Sequence, residues 1–489
     1  LAFDQVAPPG FLAVEKIAVT LLGNSEYALR LFPLACGILS LVLLWRLANR
    51  LVQGAAVPAA VALMALAPGL IYYSCVAKQY SSDVTASLVL LLLALDLRQG
   101  APTARQAWRA GVAGAVIVWF SQPAVLTVAG IGVTLAALAV LERNTNALRR
   151  IALVAGLWGA SAAGAVLAAQ RLISSRHAQL ARVYWKDGFP PFPLEPPTAV
   201  HWLWDRTTLS VFDVQGFAYY ESALYVILAA IGFAGLLRKR RDYGALLFAP
   251  GFVAVAAAVA RQYPFEGRLT LFLEPSLVLV IVAGASALGA LATKHRAIVS
   301  GLVATLIVVP AAQALARVPP IYDRERFTPA LAHLAVARRE GDQVYVYYGS
   351  AQAFLYYAPR FGFGTHDYVI GGCHRGDTDA YLKELDHFRG SPRLWVVIAH
   401  GYPHLEVEAI SGYLKQIGVS RDSLVLQTRG KYGFPTLGSR VDLYDLSDAN
   451  RLGAVREEST GPQPEPSLPV AFGCQHGPPA TAQDSLAGR

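Results

Sequence analysis

Two short segments of the chain carry the residues best suited to chemistry. One is Lys78-Gln79-Tyr80-Ser81-Ser82-Asp83 and the other is Arg261-Gln262-Tyr263-Pro264-Phe265-Glu266-Gly267-Arg268. Each places a cation, a tyrosine and a carboxylate beside an apolar run. A charge at the edge of such a run is expensive to desolvate, which marks it as a functional candidate. Arginine suits bidentate contact with a phosphate, and lysine supplies a point charge. Lys78, Arg261 and Arg268, with Tyr80 and Tyr263 beside them, therefore fit a buried phosphate or pyrophosphate ester. The competing reading is that the arginines snorkel to lipid headgroups. A third candidate is Asp4, in the rigid Pro-containing stretch from Phe3 to Phe11. It suits a general base, a metal ligand or a solvated loop carboxylate.

The elements that must position these residues are membrane helices. Of 489 residues, 54% are hydrophobic and only 15% charged, with a mean hydropathy of +0.40. Soluble domains carry about a quarter charged residues. The formal charge of +9 resides in short clusters between apolar runs, such as Arg238-Lys239-Arg240-Arg241, which argues against nucleic-acid binding. No P-loop, dinucleotide glycine fingerprint, HExxH or CxxC pair is present, so a soluble-enzyme reading finds no motif.

Residues 11–22 read as an amphipathic interfacial helix, with Phe11, Val14, Ile17, Ala18 and Leu21 on its apolar face and Gly23 ending it. About ten spans follow, at 28–51, 55–75, 82–97, 107–120, 123–141, 150–171, 222–237, 244–260, 269–291 and 297–316. Alternate loops hold fourteen Lys and Arg, whereas the short loops between them hold Lys78, Arg261 and Arg268. The positive-inside rule places the first set in the cytoplasm. Lys78, the 172–221 and 261–268 loops and the C-terminal region then fall outside. The aromatic 172–221 loop, with Trp185, Trp202 and Trp204, is either an interfacial belt or a lid that stacks on sugar.

The predicted domains are an outer interfacial segment (1–27), a transmembrane domain (28–317), an extracytoplasmic α/β domain (318–455) and a disordered tail (456–489). Strands are expected at 343–348 and 393–399, and a helical stripe runs from Leu405 to Ile417. Cys36 and Cys75 read as apolar fillers of hydrophobic spans, and Cys373 and Cys474 as a pair that can form only if this domain is extracytoplasmic.

Three runs, DQVAPPGFLAVEKIAVTLLGNSEYALRLFPLACGILSL, APGLIYYSCVAKQYSSDV and RQYPFEGRLTLFLEP, resemble the bacterial GT-C class of membrane glycosyltransferases. These are relatives of protein mannosyltransferases with a family-39-type domain. The resemblance covers roughly residues 1–316. It implies a multi-pass protein of the bacterial cytoplasmic membrane that takes sugar from a polyprenyl-phosphate donor on the outer face. The acceptor is a hydroxyl on a lipid, glycan or protein, attacking with inversion, and some members need a divalent metal ion. Lys78 and Arg268 match the family's basic positions, with Tyr80, Arg261 and Tyr263 lining the phosphate cleft.

The family's Asp-Glu pair is not in this chain and would precede Leu1. The resemblance therefore implies a missing N-terminal span, an inactive fragment, and Asp4 as a secondary rather than principal catalytic acid. Two rivals remain. One is a secondary transporter of a lipid-linked or anionic glycan, disfavoured because no repeat is visible and the charges cluster at the outer boundary. The other is a non-catalytic membrane scaffold.

Overall fold

A computed structural model describes residues 7–99, 102–172, 185–208, 212, 219–291, isolated positions between 301 and 312, 326–374, 377–399, 404–429 and 435–451. The chain divides into two compact units, one of residues 5–317 and one of residues 318–489 with the first four residues.

The larger unit is helical: α1 (Pro9–Leu22), α2 (Glu26–Leu51), α3 (Ala56–Ala65), α4 (Pro68–Ser74), α5 (Tyr80–Arg98), α6 (Ala104–Ile117), α7 (Ala124–Leu141), α8 (Thr145–Leu172), α9 (Pro196–Arg206), α10 (Tyr219–Lys239), α11 (Arg241–Val259) and α12 (Glu274–Leu291). Six described helical stretches are long and apolar enough to cross a membrane, or seven if the α3–α4 pair counts as one broken span. This is the polytopic helical fold expected from the sequence, with irregular segments where continuous spans were expected. The 55–75 stretch bends by 58° between α3 and α4 because Pro68 opens a new helix. The 107–120 stretch is α6 followed by a 3₁₀ turn at Val118–Phe120. The 222–237 stretch lies on α10, and the expected span at 297–316 lies largely outside the described residues.

Small residues let the helices approach. A Cβ on Gly232 of α10 would collide with the carbonyl of Val280 on α12, and one on Gly284 with the carbonyl of Leu228. α5 is the central element. Fourteen of its nineteen residues are buried, from Tyr80 to Leu97, so both of its ends are fixed by neighbours. The exposed apolar residues Leu31, Leu34, Ile38 and Trp45 form the outer face of α2.

α1 turns Phe11 and Glu15 inward and leaves most of its expected apolar face for lipid, with Ile17, Leu21 and Leu22 exposed. The helix does end at Gly23, whose φ of +82° suits glycine. Ser25 then caps α2, and Glu26 pairs with Arg30 at 3.0 Å. Cys36 is buried as expected, but Cys75 is exposed where the chain leaves α4.

The smaller unit is a five-stranded mixed sheet in the order β2-β1-β3-β5-β4. Its strands are β1 (Gln343–Val346), β2 (Val369–Ile370), β3 (Leu394–Ala399), β4 (Val419–Arg429) and β5 (Pro435–Asp445). β1, β2 and β3 are parallel, and β4–β5 is an antiparallel hairpin added at one edge. Its helices are α13 (Phe327–Ala337), α14 (Ala351–Tyr357), α15 (Thr378–Asp386) and α16 (His404–Ile417). β3 is fully buried, as a strand with both faces covered must be. Cys373 is disulfide-bonded. Cys474 and the 456–489 tail lie outside the described residues.

Candidate functional site at the head of α5

The turn from α4 into α5 is built by its serines. Ser81 Oγ donates to the carbonyl of Tyr73 at 2.9 Å, and Ser82 Oγ donates to those of Gln79 (2.7 Å) and Phe120 (3.0 Å). These bonds pin the first turn of α5 to α4 and to the 3₁₀ turn before α7. Tyr72, Tyr73 and Tyr80 stack edge to face, with centroids 5.0 and 4.9 Å apart in sequence. Lys78 lies half-buried in the bend, and Asp83 lies 5% exposed one turn into the helix. Asp83 interacts with the Ser121 hydroxyl, but its Oδ1 has no hydrogen-bond partner among the described residues. A buried carboxylate oxygen left bare is costly, so its retention points to use.

The second segment reaches the same place through a 3₁₀ stretch, Gly267–Leu273. Arg268 lies with its guanidinium carbon 5.7 Å from the Tyr80 ring centroid and 5.0 Å from that of Trp185. Its charge, after desolvation by burial, is the second cause that holds the Lys78 ammonium below the usual lysine range. Two cations from segments almost two hundred residues apart thus lie close enough for the charge of one to act on the other. Tyr263 turns its hydroxyl inward to donate to the carbonyl of Leu269 at 2.9 Å. Burial, then the charges of Asp83 and Tyr80, raise its phenol well above the normal range, so it stays a neutral donor.

Arg261 is placed differently. Its guanidinium donates to the carbonyl of Pro190 at 3.3 Å, and its φ of +56° turns the chain at the end of α11. Of the sequence candidates, Lys78, Tyr80, Tyr263 and Arg268 converge, whereas Arg261 binds the 185–195 segment. Asp4 lies outside the described residues.

That segment is fastened to the second loop at several points. Phe265 N–H donates to Gly188 O at 2.8 Å, and Trp202 Nε1 donates to Asp187 O at 2.9 Å. Arg206 pairs with Glu266 at 3.3 Å, and Trp202 packs on Phe265. Glu266 sits between Arg206 and Arg268. Burial raises its carboxyl, Arg206 lowers it, Asp187 raises it and Arg268 lowers it, with a net upward shift. Trp202 is thus tied to the 261–268 loop, and Trp185 lies under the Arg268 guanidinium.

Sequence reasoning missed Glu15 on α1, which is 7% exposed. A charged residue four positions after Phe11 on an otherwise apolar stripe was the available signal. An apolar cavity of about 130 Å³ lies between α2, α4 and α5, bordered by Leu34, Ile38, Leu41, Leu70, Tyr73 and Tyr80. Tyr80 thus borders the apolar cavity and also lies near the Arg268 guanidinium. Among the described residues, no three His, Cys, Asp or Glu side chains gather to hold a metal ion.

No protein-family model matches the sequence, and no curated protein matches it by sequence. Similarity appears at the level of solved structures. ArnT from Cupriavidus metallidurans bound to undecaprenyl phosphate matches with a TM-score of 0.50 at 11% identity, over 91% of this chain and 89% of that one. An oligosaccharyltransferase from Archaeoglobus fulgidus in complex with zinc and sulfate matches with a TM-score of 0.50 at 13% identity, over 88% of this chain and 64% of that one. At these identities the likeness is one of fold. It is the GT-C membrane glycosyltransferase fold, as the sequence resemblance implied; the family-39 subtype is a finer distinction that these matches leave open.

Proposed function

We propose that this protein is a glycosyltransferase that moves a sugar from a polyprenyl-phosphate donor to an acceptor hydroxyl at the outer face of a bacterial cytoplasmic membrane. The observation that carries this reading is the closeness of Lys78 and Arg268, with Tyr80 near the Arg268 guanidinium and bordering an apolar cavity. A polyprenyl phosphate has the matching shape, with an apolar chain for the cavity and a phosphate for the two cations. The solved neighbour that holds undecaprenyl phosphate shares this fold.

In such a reaction the acceptor oxygen bonds to the anomeric carbon. The bond from that carbon to the phosphate oxygen breaks, and its electron pair leaves with the polyprenyl phosphate. Lys78 and Arg268 stabilise the charge that accumulates on the departing phosphate, and the Tyr80 wall orients it. Arg268 supplies directed N–H donors and Lys78 a point charge. We assign receipt of the acceptor proton to Asp83, the buried carboxylate one turn beyond Tyr80 whose Oδ1 has no hydrogen-bond partner among the described residues. Trp185 and the segment fastened by Arg206–Glu266 exclude water, which would otherwise compete as acceptor. A disulfide at Cys373 suits an oxidising, extracytoplasmic location for the smaller unit.

The test is transfer of labelled sugar from polyprenyl-phosphate donors to lipid and glycan acceptors in proteoliposomes. The wild type should transfer sugar, and transfer should collapse in Lys78→Ala and Arg268→Ala. Undiminished transfer in both variants would overturn the site. The absence of transfer from every donor, with anionic glycan moved across the bilayer instead, would favour a transporter.

A further inference from the structure

We propose that Glu15 is a sugar-binding carboxylate, accepting hydrogen bonds from hydroxyls of the sugar that the lipid phosphate carries. This rests on the donor reading above and extends it from the phosphate to the sugar.

On one face, α1 buries two residues, Phe11 and Glu15. Phe11 packs on Phe32 of α2 at 5.8 Å, and Phe32 packs on Phe120 at 6.4 Å. Gly10 is pressed against the same turn, since a Cβ there would lie 2.8 Å from the Trp119 carbonyl. The Phe120 carbonyl is the one that Ser82 holds, and Ser121 meets Asp83. The inner face of α1 is thus fixed against the elements that carry Asp83.

Glu15 lies one turn beyond Phe11 and is 7% exposed, and neither of its carboxylate oxygens has a hydrogen-bond partner among the described residues. Glu15 acts by charge on Cys36 of α2, as does Asp83 of α5. Neither is a cation, so no described charge compensates it. Desolvation pushes its carboxyl up to about 7. A leucine would fill this position at no such cost. Two buried acceptor oxygens without partners among the described residues need donors, and hydroxyl groups are the donors that a lipid-linked sugar brings.

The geometry also orders the groups. Arg268 acts by charge on Lys78, Asp83 on both Tyr263 and Cys36, and Glu15 on Cys36, so these groups form a connected series. A phosphate gripped by the cations can therefore extend its sugar past Asp83 toward Glu15.

The experiment compares two probes on the same protein in nanodiscs. One is undecaprenyl phosphate. The other is undecaprenyl phosphate carrying glucose, galactose, mannose or N-acetylglucosamine, whichever the wild type binds most tightly. In Glu15→Gln, affinity for the sugar-bearing lipid should fall about tenfold to a hundredfold, the weight of a hydrogen bond to a charged group, with bare-lipid affinity unchanged. Glu15→Asp should fall between the two. A melting temperature no lower than wild type shows that Glu15→Gln is folded. If both affinities are unchanged, or both fall together, the sugar assignment is overturned while the phosphate site stands. The sugar assignment is likewise overturned if the wild type gains nothing from any of the sugars. If the wild type does not bind undecaprenyl phosphate at all, the donor reading fails and this inference fails with it.

Discussion

The two ends of α5 use charge in opposite ways. At its last turn, Arg98 is clasped by Glu142 from the end of α7 and by Asp242 from the start of α11, while Asp96 takes Arg50 of α2. Every one of these charges meets its opposite, and four helices are tied together. At its first turn, the cations Lys78 and Arg268 are held near each other, and the buried Asp83 keeps a bare oxygen. Neutralised charge makes structure, whereas a buried acceptor left bare beside two neighbouring cations marks a place where a ligand can bind. The same helix thus carries a structural clasp at one end and a candidate reaction site at the other.

Substitutions at the two ends should separate activity from stability. Arg268→Ala should reduce kcat for sugar transfer by about a hundredfold to a thousandfold, as loss of a preorganised charge-stabilising donor does. Its melting temperature should stay near that of the wild type. Lys78→Ala should lower kcat/KM by about tenfold to a hundredfold, because a point charge contributes less directed contact than a guanidinium. Since burial and Arg268 hold the Lys78 ammonium below its usual range, donor affinity should fall at a lower alkaline pH than an ordinary lysine would dictate. Lys78→Arg should remove that alkaline loss.

Arg98→Ala should do the reverse, lowering stability by about 1–3 kcal/mol as a partly buried clasp is opened, while the folded fraction keeps its turnover. Thermal unfolding in detergent, read beside transfer, checks this. Equal loss of activity at both ends would dissolve the distinction between them.

Arg261→Ala should have a smaller effect, below about tenfold in kcat/KM, because it removes a hydrogen bond to Pro190 rather than a contact with the phosphate. Trp185 fluorescence should report loosening of the 185–195 segment. A loss as deep as that of Arg268→Ala would return Arg261 to the phosphate cleft.

The smallest effect is a stability profile. Glu15 has a folded carboxyl near 7 against 4.5 in the unfolded chain, so the folded state favours the protonated form. That contribution is fully present below about pH 4.5 and is lost as pH rises through about 7. The wild type should therefore fall behind Glu15→Gln in melting temperature between pH 5 and 8. Parallel profiles would place Glu15 in contact with water.

Much of this site could be read from residue types alone. Lys78 and Arg268 stood out because cations on the short, charge-poor loops escape the bias that explains the other loops. Tyr80 and Tyr263 were visible as their neighbours. What stayed hidden depended on partners far along the chain. Arg261 finds Pro190 seventy-one positions away, which no local pattern announces. Glu15 escaped because a helical stripe was read from its apolar members, and the face that turned inward was set by Phe11 against Phe32.

The fold shows the same division. Gly23, the strands at β1 and β3 and the helix before Gly418 were legible from local signals. The β4–β5 hairpin was not, because register shifts at Ser420/Asp422 and Leu426/Gln427 break the two-residue alternation that marks a strand. The bend at Pro68 was written in the sequence, but a run of uniform hydropathy spoke for one span.

Lys78 and Arg268 gripping one phosphate together is the central claim. A double-mutant cycle on undecaprenyl phosphate binding tests it most directly, using Lys78→Ala, Arg268→Ala and the double variant. The expected result is a coupling free energy above about 1 kcal/mol, because groups that share a ligand do not act independently. Losses that add to within about 0.5 kcal/mol would mean that the two cations serve different partners, and would contradict it.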